Sequence, residues 1–318
     1  MKGNTNKTIG ILGGLLALQV GLAAFLHMDR PQEGDFQAGE KLLVFATDAV
    51  DRIRITDDTG QTLELRKEKG TWQLPALGGF PADEAAARRL LNRLADLEKG
   101  WPVATTAGAA ARFKVAAEDF ERHIVLSKGE ETVAALYVGT SPGLRKAHVR
   151  RPDETEVYAV AFNTFEAPAR ADDWIDKRIL QVNRDELARI ELPDFTLVRD
   201  GENWRLADLG EGETMADGEA DNIAGQVSTL TVTAVLEEPP ADAGEPLLAY
   251  ALELKNGERH EYRFYKTEAG DYLVKASQRE EYFKLPAFYV DSIKNSERSR
   301  LVQHEAEETP AEETRAES

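Results

Sequence analysis

Apolar and polar residues alternate along two stretches of this chain, and both stretches follow one plan. In the first, Arg52-Ile53-Arg54-Ile55 leads to a turn at Asp57-Asp58-Thr59-Gly60, then Leu63-Glu64-Leu65 and Trp72-Gln73-Leu74. In the second, Leu187-Ala188-Arg189-Ile190-Glu191-Leu192 leads to a tighter turn at Pro193-Asp194, then Phe195-Thr196-Leu197 and Trp204-Arg205-Leu206. A period of two is that of a strand with one face buried. Ile53 and Ile190 are 137 positions apart, whereas Leu65 to Leu197 and Trp72 to Trp204 are both 132. The difference falls in the turn, where a change of length costs least. The pattern predicts a strand-turn-strand-strand meander used twice.

The period then changes from two to that of a helix. Ala82-Asp83 opens a segment predicted to run to about Lys99 and to end at Gly100, with Leu90, Leu91, Leu94 and Leu97 on one face. Ile223, Val227 and Leu230 repeat that spacing in the second half, with Asp217 and its acidic neighbours as helix N-terminal carboxylates. Strands follow in both halves. His123–Leu126 and Thr132–Val138 flank a turn at Lys128-Gly129, and Ala251–Leu254 and Glu261–Tyr265 flank one at Asn256-Gly257. Ala147–Arg151 and Val157–Val160 correspond to Tyr272–Lys275 and Tyr282–Leu285. Each half closes with a short helical segment, near Phe162–Ala169 and Ala287–Asn295. Hairpin-length turns imply an α+β fold of two tandem repeats, each a mostly antiparallel sheet with one main packed helix.

The ends of the chain differ from this body. Ile9–Leu26 is an unbroken low-polarity run in which Gln19 is the one strongly polar member. As a helix it would span roughly 27 Å, close to the thickness of a bilayer core. Lys2 and Lys7 precede it, so the positive-inside rule places the N-terminus in the cytoplasm and the body outside. A cleaved signal peptide is the alternative, but the run is long for one and no clean Ala-x-Ala site follows. The expected organisation is a cytoplasmic N-terminus over residues 1–8, a transmembrane anchor over 9–27 and a linker over 28–40. A first repeat over 41–180, a second over 181–302 and a disordered acidic tail over 303–318 complete it.

Composition narrows the chemistry. The formal net charge of −18 disfavours nucleic acid, which needs a basic face. The absence of cysteine removes disulfides, thiol nucleophiles, thiolate metal sites and a lipoprotein anchor. Gly139-Thr140-Ser141-Pro142-Gly143 has the G-x-S-x-G form of a serine hydrolase elbow. That elbow needs the N–H of the residue after serine, and Pro142 has none, so a hairpin turn is expected. His27, His123, His148, His260 and His304 show no metal-binding spacing, and the acidic clusters at Asp57-Asp58, Asp172-Asp173 and Asp217–Asp221 lack the calcium-loop pattern. No Walker A or dinucleotide motif is present. No catalytic residue, metal or cofactor is assigned.

Three tryptophans bear on interaction. Trp72 and Trp204 hold equivalent places and suit either core anchors, the favoured reading, or a stacking platform for a glycan or peptide. Trp174, in Asp172-Asp173-Trp174-Ile175-Asp176-Lys177, falls where the first repeat hands over to the second, and Asp176, Lys177 and Arg178 are expected to pair across that junction.

The order and spacing of these motifs resemble the bacterial domain-of-unknown-function 4340 family. The residues that carry the likeness are Arg52–Ile55, Trp72-Gln73-Leu74, Ala82-Asp83, Tyr137-Val138-Gly139, Val149-Arg150, Val157–Val160, Trp174–Leu180, Leu187–Leu192 and Trp204-Arg205-Leu206. The resemblance implies an accessory role at the bacterial inner membrane beside components of an ABC-type transporter, and it carries no catalytic residues. The expected function is a non-enzymatic, membrane-anchored periplasmic binding or scaffold subunit. A periplasmic glycan- or peptide-binding module and an exported hydrolase with a carboxylate pair are the alternatives.

Overall fold

The computed structural model describes residue 19 and residues 39–106, 108–236, 238 and 244–304. The expected anchor apart from Gln19, most of the linker and the acidic tail from residue 305 lie outside the described residues. Among the described residues no helix is long and apolar enough to cross a membrane.

The first half contains β1 (Arg52–Asp57), β2 (Thr62–Glu68), β3 (Thr71–Leu74), β4 (Phe80–Pro81), α1 (Glu84–Ala95), α2 (Ala109–Arg112), β5 (Val115–Ala116), β6 (Asp119–Phe120), β7 (Arg122–Lys128), β8 (Glu131–Val138), β9 (Ala147–Arg150) and β10 (Tyr158–Val160). The second contains β11 (Leu187–Glu191), β12 (Thr196–Asp200), β13 (Asn203–Leu206), β14 (Glu213–Met215), α3 (Glu219–Ser228), β15 (Ala234–Leu236), β16 (Leu248–Leu254), β17 (Arg259–Lys266), β18 (Tyr272–Ala276), β19 (Tyr282–Leu285), α4 (Ala287–Lys294) and β20 (Val302–His304). The fold is α+β with two eight-stranded antiparallel sheets and few helices. Their orders are β10-β9-β8-β7-β1-β2-β3-β4 and β13-β12-β11-β16-β17-β18-β19-β15. Read from β3 and from β13, seven strands follow in the same order, and the sheets differ only in the eighth. The registers agree at the centre: Ile53 faces Leu65 and Ile190 faces Leu197. Leu126 faces Ile53, and Leu252 faces Ile190. Turn-to-turn alignment instead pairs Leu126 with Leu254. A two-residue slip keeps the same side chains toward the core, so both alignments satisfy the pattern.

A main helix covers one face of each sheet, and in the first sheet a smaller cluster of Ala110, Val115, Tyr137 and Val157 buries part of the other. Asp83 caps α1 by accepting from the Ala85 and Ala86 N–H groups, and Leu90, Leu91 and Leu94 are buried on Ile53, Leu65 and Trp72. The helix ends at Ala95, four residues before the expected Lys99. Leu97–Lys99 turns extended instead and pairs with Glu40–Leu42, through Leu42 N–H to Leu97 O at 2.8 Å and Lys99 N–H to Glu40 O at 2.8 Å. The helix expected near Phe162–Ala169 shrinks to a 3-10 turn, Thr164–Glu166, boxed by Asn163 and Glu166. Pro168 supplies no N–H to continue it. In the second half α3 ends at Ser228, leaving Leu230 beyond the helix but buried. Gln303 and His304, placed in the tail by the sequence, are part of β20, which pairs with β14.

Residues 171–182 join the halves and are bonded into both. At one end Asp83 N–H reaches Trp174 O at 2.7 Å, and Ala82 bridges Ile175. At the other, Val232 N–H reaches Lys177 O and Val182 N–H reaches Ser228 O, both at 3.0 Å. The Tyr262 hydroxyl donates to Leu180 O at 3.3 Å, and the Phe80 and Phe283 rings meet across the halves at 5.9 Å. One cluster of buried side chains runs through both sheets. Trp174, 2% exposed, sits in it with its Nε1–H donated to Pro168 O at 2.9 Å. Trp174→Ala is expected to cost about 3–5 kcal/mol and to lower both halves together in one calorimetric transition; a variant that melts in two separated steps would contradict a shared core.

Candidate binding groove

The tryptophans nominated by the sequence are interior. Trp72 is 3% and Trp204 5% exposed, so neither can stack on a ligand, and the platform reading of these two residues is overturned. The reason is local: β3 and β13 each turn the indole to the face that the adjacent helix covers. Arg199 lies over the Trp204 ring at 5.1 Å, and Lys67 over Trp72 at 5.9 Å. The expected side-chain pairing of Asp176 and Lys177 across the junction is also corrected. Asp176 accepts from the Arg178 N–H at 3.0 Å within its own turn, and Lys177 is exposed. Both residues cross the junction through backbone, Asp176 N–H to Pro81 O and Lys177 O from Val232 N–H.

Ser141 does belong to a turn. Its Oγ lies 2.7 Å from Gly143 O and 2.8 Å from Lys146 O, which ties the β8–β9 connection. Gly139 is required by close approach: a Cβ there would lie 2.1 Å from Phe113 O. Asp57 likewise folds its own loop, accepting from Thr59 N–H and Gln61 N–H at 3.0 Å each. The acidic residues from Asp217 to Asp221 do stand at the N-terminus of α3. Gly218, at φ 79°, takes the cap position, and Glu219 and Asp221 are the carboxylates in the first turn. Two of the described histidines pack against rings. His123 stacks on Tyr137 at 4.3 Å, and His148 Nδ1 meets Thr140 Oγ1 at 2.9 Å beneath the Phe113 ring. Among the described residues no group of side chains is arranged to hold a metal ion.

A wide cavity lies elsewhere, between α3 and α4. It is an open groove of about 780 Å³, within the range of ligand sites. The sequence makes it in a simple way. Ala220, Ile223, Ala224 and Val227 turn one face of α3 into the core, as Val290 and Ile293 do for α4. What remains toward the groove is polar on the α3 side, with Asn222, Gln226 and Thr229, and mixed on the α4 side, with Phe288, Tyr289, Ser292 and Asn295. Phe288 is 60% exposed and its ring lies 4.1 Å from that of Tyr289. Gly225 leaves the middle of α3 open, since no atom lies within 4 Å of where a Cβ would stand. The Gln226 Oε1 is buried without a hydrogen-bond partner among the described residues. Of the three carboxylates at the rim, Asp221 is already engaged by Arg184.

The first half has a counterpart. Beside α1, a smaller hollow of about 290 Å³ is lined by Arg89, Leu90, Arg93, Phe165 and Trp174. Phe165 is 86% exposed and follows β10, as Phe288 follows β19. Here Arg93 Nε reaches Glu166 at 3.0 Å, an ion pair beside the hollow. Sequence reasoning missed both phenylalanines. The available signal was a large aromatic just after the last strand of each repeat, out of phase with any buried face.

The family model described as domain of unknown function (DUF4340) matches residues 72–252. That span takes in β3 through most of β16, including α1, α3 and Phe165, and stops short of α4 and Phe288. Comparison with curated proteins and with solved structures found no match.

The two packed histidines make stability depend on pH. Burial pushes the His123 imidazole below its ordinary value, and burial, with Arg112 nearby, does the same to His148 against an opposing bond at Thr140. A depressed folded pKa means that the neutral ring is the one the fold accommodates. This stabilisation is therefore complete above the unfolded value of about 6.5 and is lost as pH falls from there through the lower folded value. Replacing both residues by glutamine is expected to flatten the acid limb of stability against pH in urea titrations; an unchanged slope would exclude them as its source.

Proposed function

The chain belongs to the domain-of-unknown-function 4340 family, and on that premise we propose that it is a non-enzymatic accessory subunit of a membrane transport complex. Ile9–Leu26 anchors it in the bacterial inner membrane, the N-terminus stays in the cytoplasm, and the body, a folding unit used twice, stands in the periplasm. Its task is to hold a membrane-protein partner of the ABC-transporter type. The observation that carries this reading is the pair of exposed phenylalanines, Phe165 and Phe288, each beside a helix-lined hollow at an equivalent place in its repeat. Exposed aromatic side chains at the rim of a concave surface are the residue type that anchors protein contacts. The amides and hydroxyls of Asn222, Gln226, Ser292 and Asn295 suit the backbone of an extended segment of the partner.

A glycan strand is the second reading, favoured by the Phe288–Tyr289 ring pair set against those same amides.

Affinity purification of the full chain in mild detergent tests the proposal. The permease of an ABC-type complex is expected to co-purify, and Phe288→Ala is expected to weaken its retention by roughly 1–2 kcal/mol, about 5- to 30-fold. The Phe165→Ala/Phe288→Ala double variant should lose it. A photo-crosslinking amino acid at position 288 should label that permease. Retention unchanged in the double variant would refute the proposal, and release by a soluble oligosaccharide would select the second reading.

A further inference from the structure

The exposed apolar side chains at the end of the body where the N-terminal segment joins it point to a lipid surface. Glu40 pairs with Lys99, and Lys41 bridges Glu98 in antiparallel register, so Gly39 falls opposite Gly100, one residue before Trp101. Trp101 is 77% exposed and Val103 44%. The other three tryptophans of the chain are at most 5% exposed. The charges around this end engage one another. Lys41 lies 3.4 Å from Asp96 and 3.9 Å from Glu98, Lys99 lies 3.0 Å from Glu154, and Arg151 pairs with Asp153 and, at 3.4 Å, with Glu154. Groups already paired lose less on approaching a surface of low dielectric than lone charges do.

Chain length adds the direction. Thirteen residues separate Leu26 from Glu40, and they span at most about 45 Å when fully extended. A body of this size is itself about 45 Å across. A link no longer than the body is wide holds the side at which it joins nearest to the bilayer. Tryptophan is the side chain best suited to that depth, with an apolar ring for the acyl boundary and an N–H for the headgroups.

We propose that the edge carrying Trp101 and Val103 is a membrane-interface contact that seats the body on the bilayer next to its anchor. This rests on the anchor reading, and the experiment separates the two. The full chain is reconstituted into phosphatidylcholine vesicles, with or without lipid brominated near the headgroup, and floated on a density gradient. Trp101 is the solvent-facing indole, so brominated lipid is expected to quench a component of the emission that Trp101→Phe removes. In unbrominated vesicles acrylamide should no longer reach it, and the emission should shift to the blue. Circular dichroism checks that the variant is folded, and acrylamide access in the parent chain gives the same answer without it. A chain that does not float overturns the anchor and this contact with it. A chain that floats, but whose emission is quenched equally with and without Trp101 and stays open to acrylamide, overturns the contact alone.

Discussion

Each sheet of this protein has one face that must leave water, and each repeat supplies one main helix to cover it; in the first sheet the segment from α2 to β6 also covers the other face over Tyr137. The rest of the structure follows from that constraint. On the covered face Ile53, Ile55, Leu63 and Leu65 meet the leucines of α1, and Ile190, Leu197 and Leu252 meet α3 in the same way. On the open face opposed residues are charged. Glu64 is bonded by Arg54 and Arg66 at 3.1 and 2.7 Å. In the second sheet Arg189, Glu191, Arg259, Glu261 and Arg263 form a ladder of alternating sign. The Arg259 guanidinium holds the Glu191 carboxyl below its ordinary range. Such exposed pairs contribute about 0–1 kcal/mol each. Their larger consequence is negative: a charged, paired face does not invite a second layer.

Because each main helix covers only part of its sheet, the remaining cover comes from the ends of each repeat. In the first half the segment after β10 gives a 3-10 turn, Phe165, and then Trp174. In the second, the corresponding segment gives α4 and Phe288. Both leave a hollow beside the main helix, wide where a whole helix stands off and narrow where a single turn and an ion pair lie close. The candidate docking surfaces are thus a by-product of how the apolar faces are closed, and the two hollows differ in size because the repeats close differently.

The joining segment makes the two sheets one folding problem. A linker between independent domains would be polar and solvent-exposed. Here it contributes Trp174, Ile175 and Leu180 to the core and uses its backbone to bond both halves. Backbone bonds are indifferent to side-chain identity, so the junction contacts of Asp176 and Lys177 leave no charge pattern in the sequence.

What the chain's own order of residues determined was anything set by local period: the two meanders, the covered faces of α1 and α3, the hairpin turn at Ser141 and the interior place of Trp72 and Trp204. Alternation over a few residues encodes which face is dry, and a duplicated spacing encodes a duplicated sheet. What only the tertiary structure decided was where segments distant in sequence compete for the same partner. Leu97–Lys99 leaves its helix because Glu40–Leu42 offers it a strand; Gly139 is glycine because the Phe113 carbonyl passes beside it; Phe165 and Phe288 stay exposed because no element among the described residues covers them. Periodicity reports what a residue's neighbours in sequence want, whereas these outcomes depend on contacts made across tens of residues, and no local pattern carries that information.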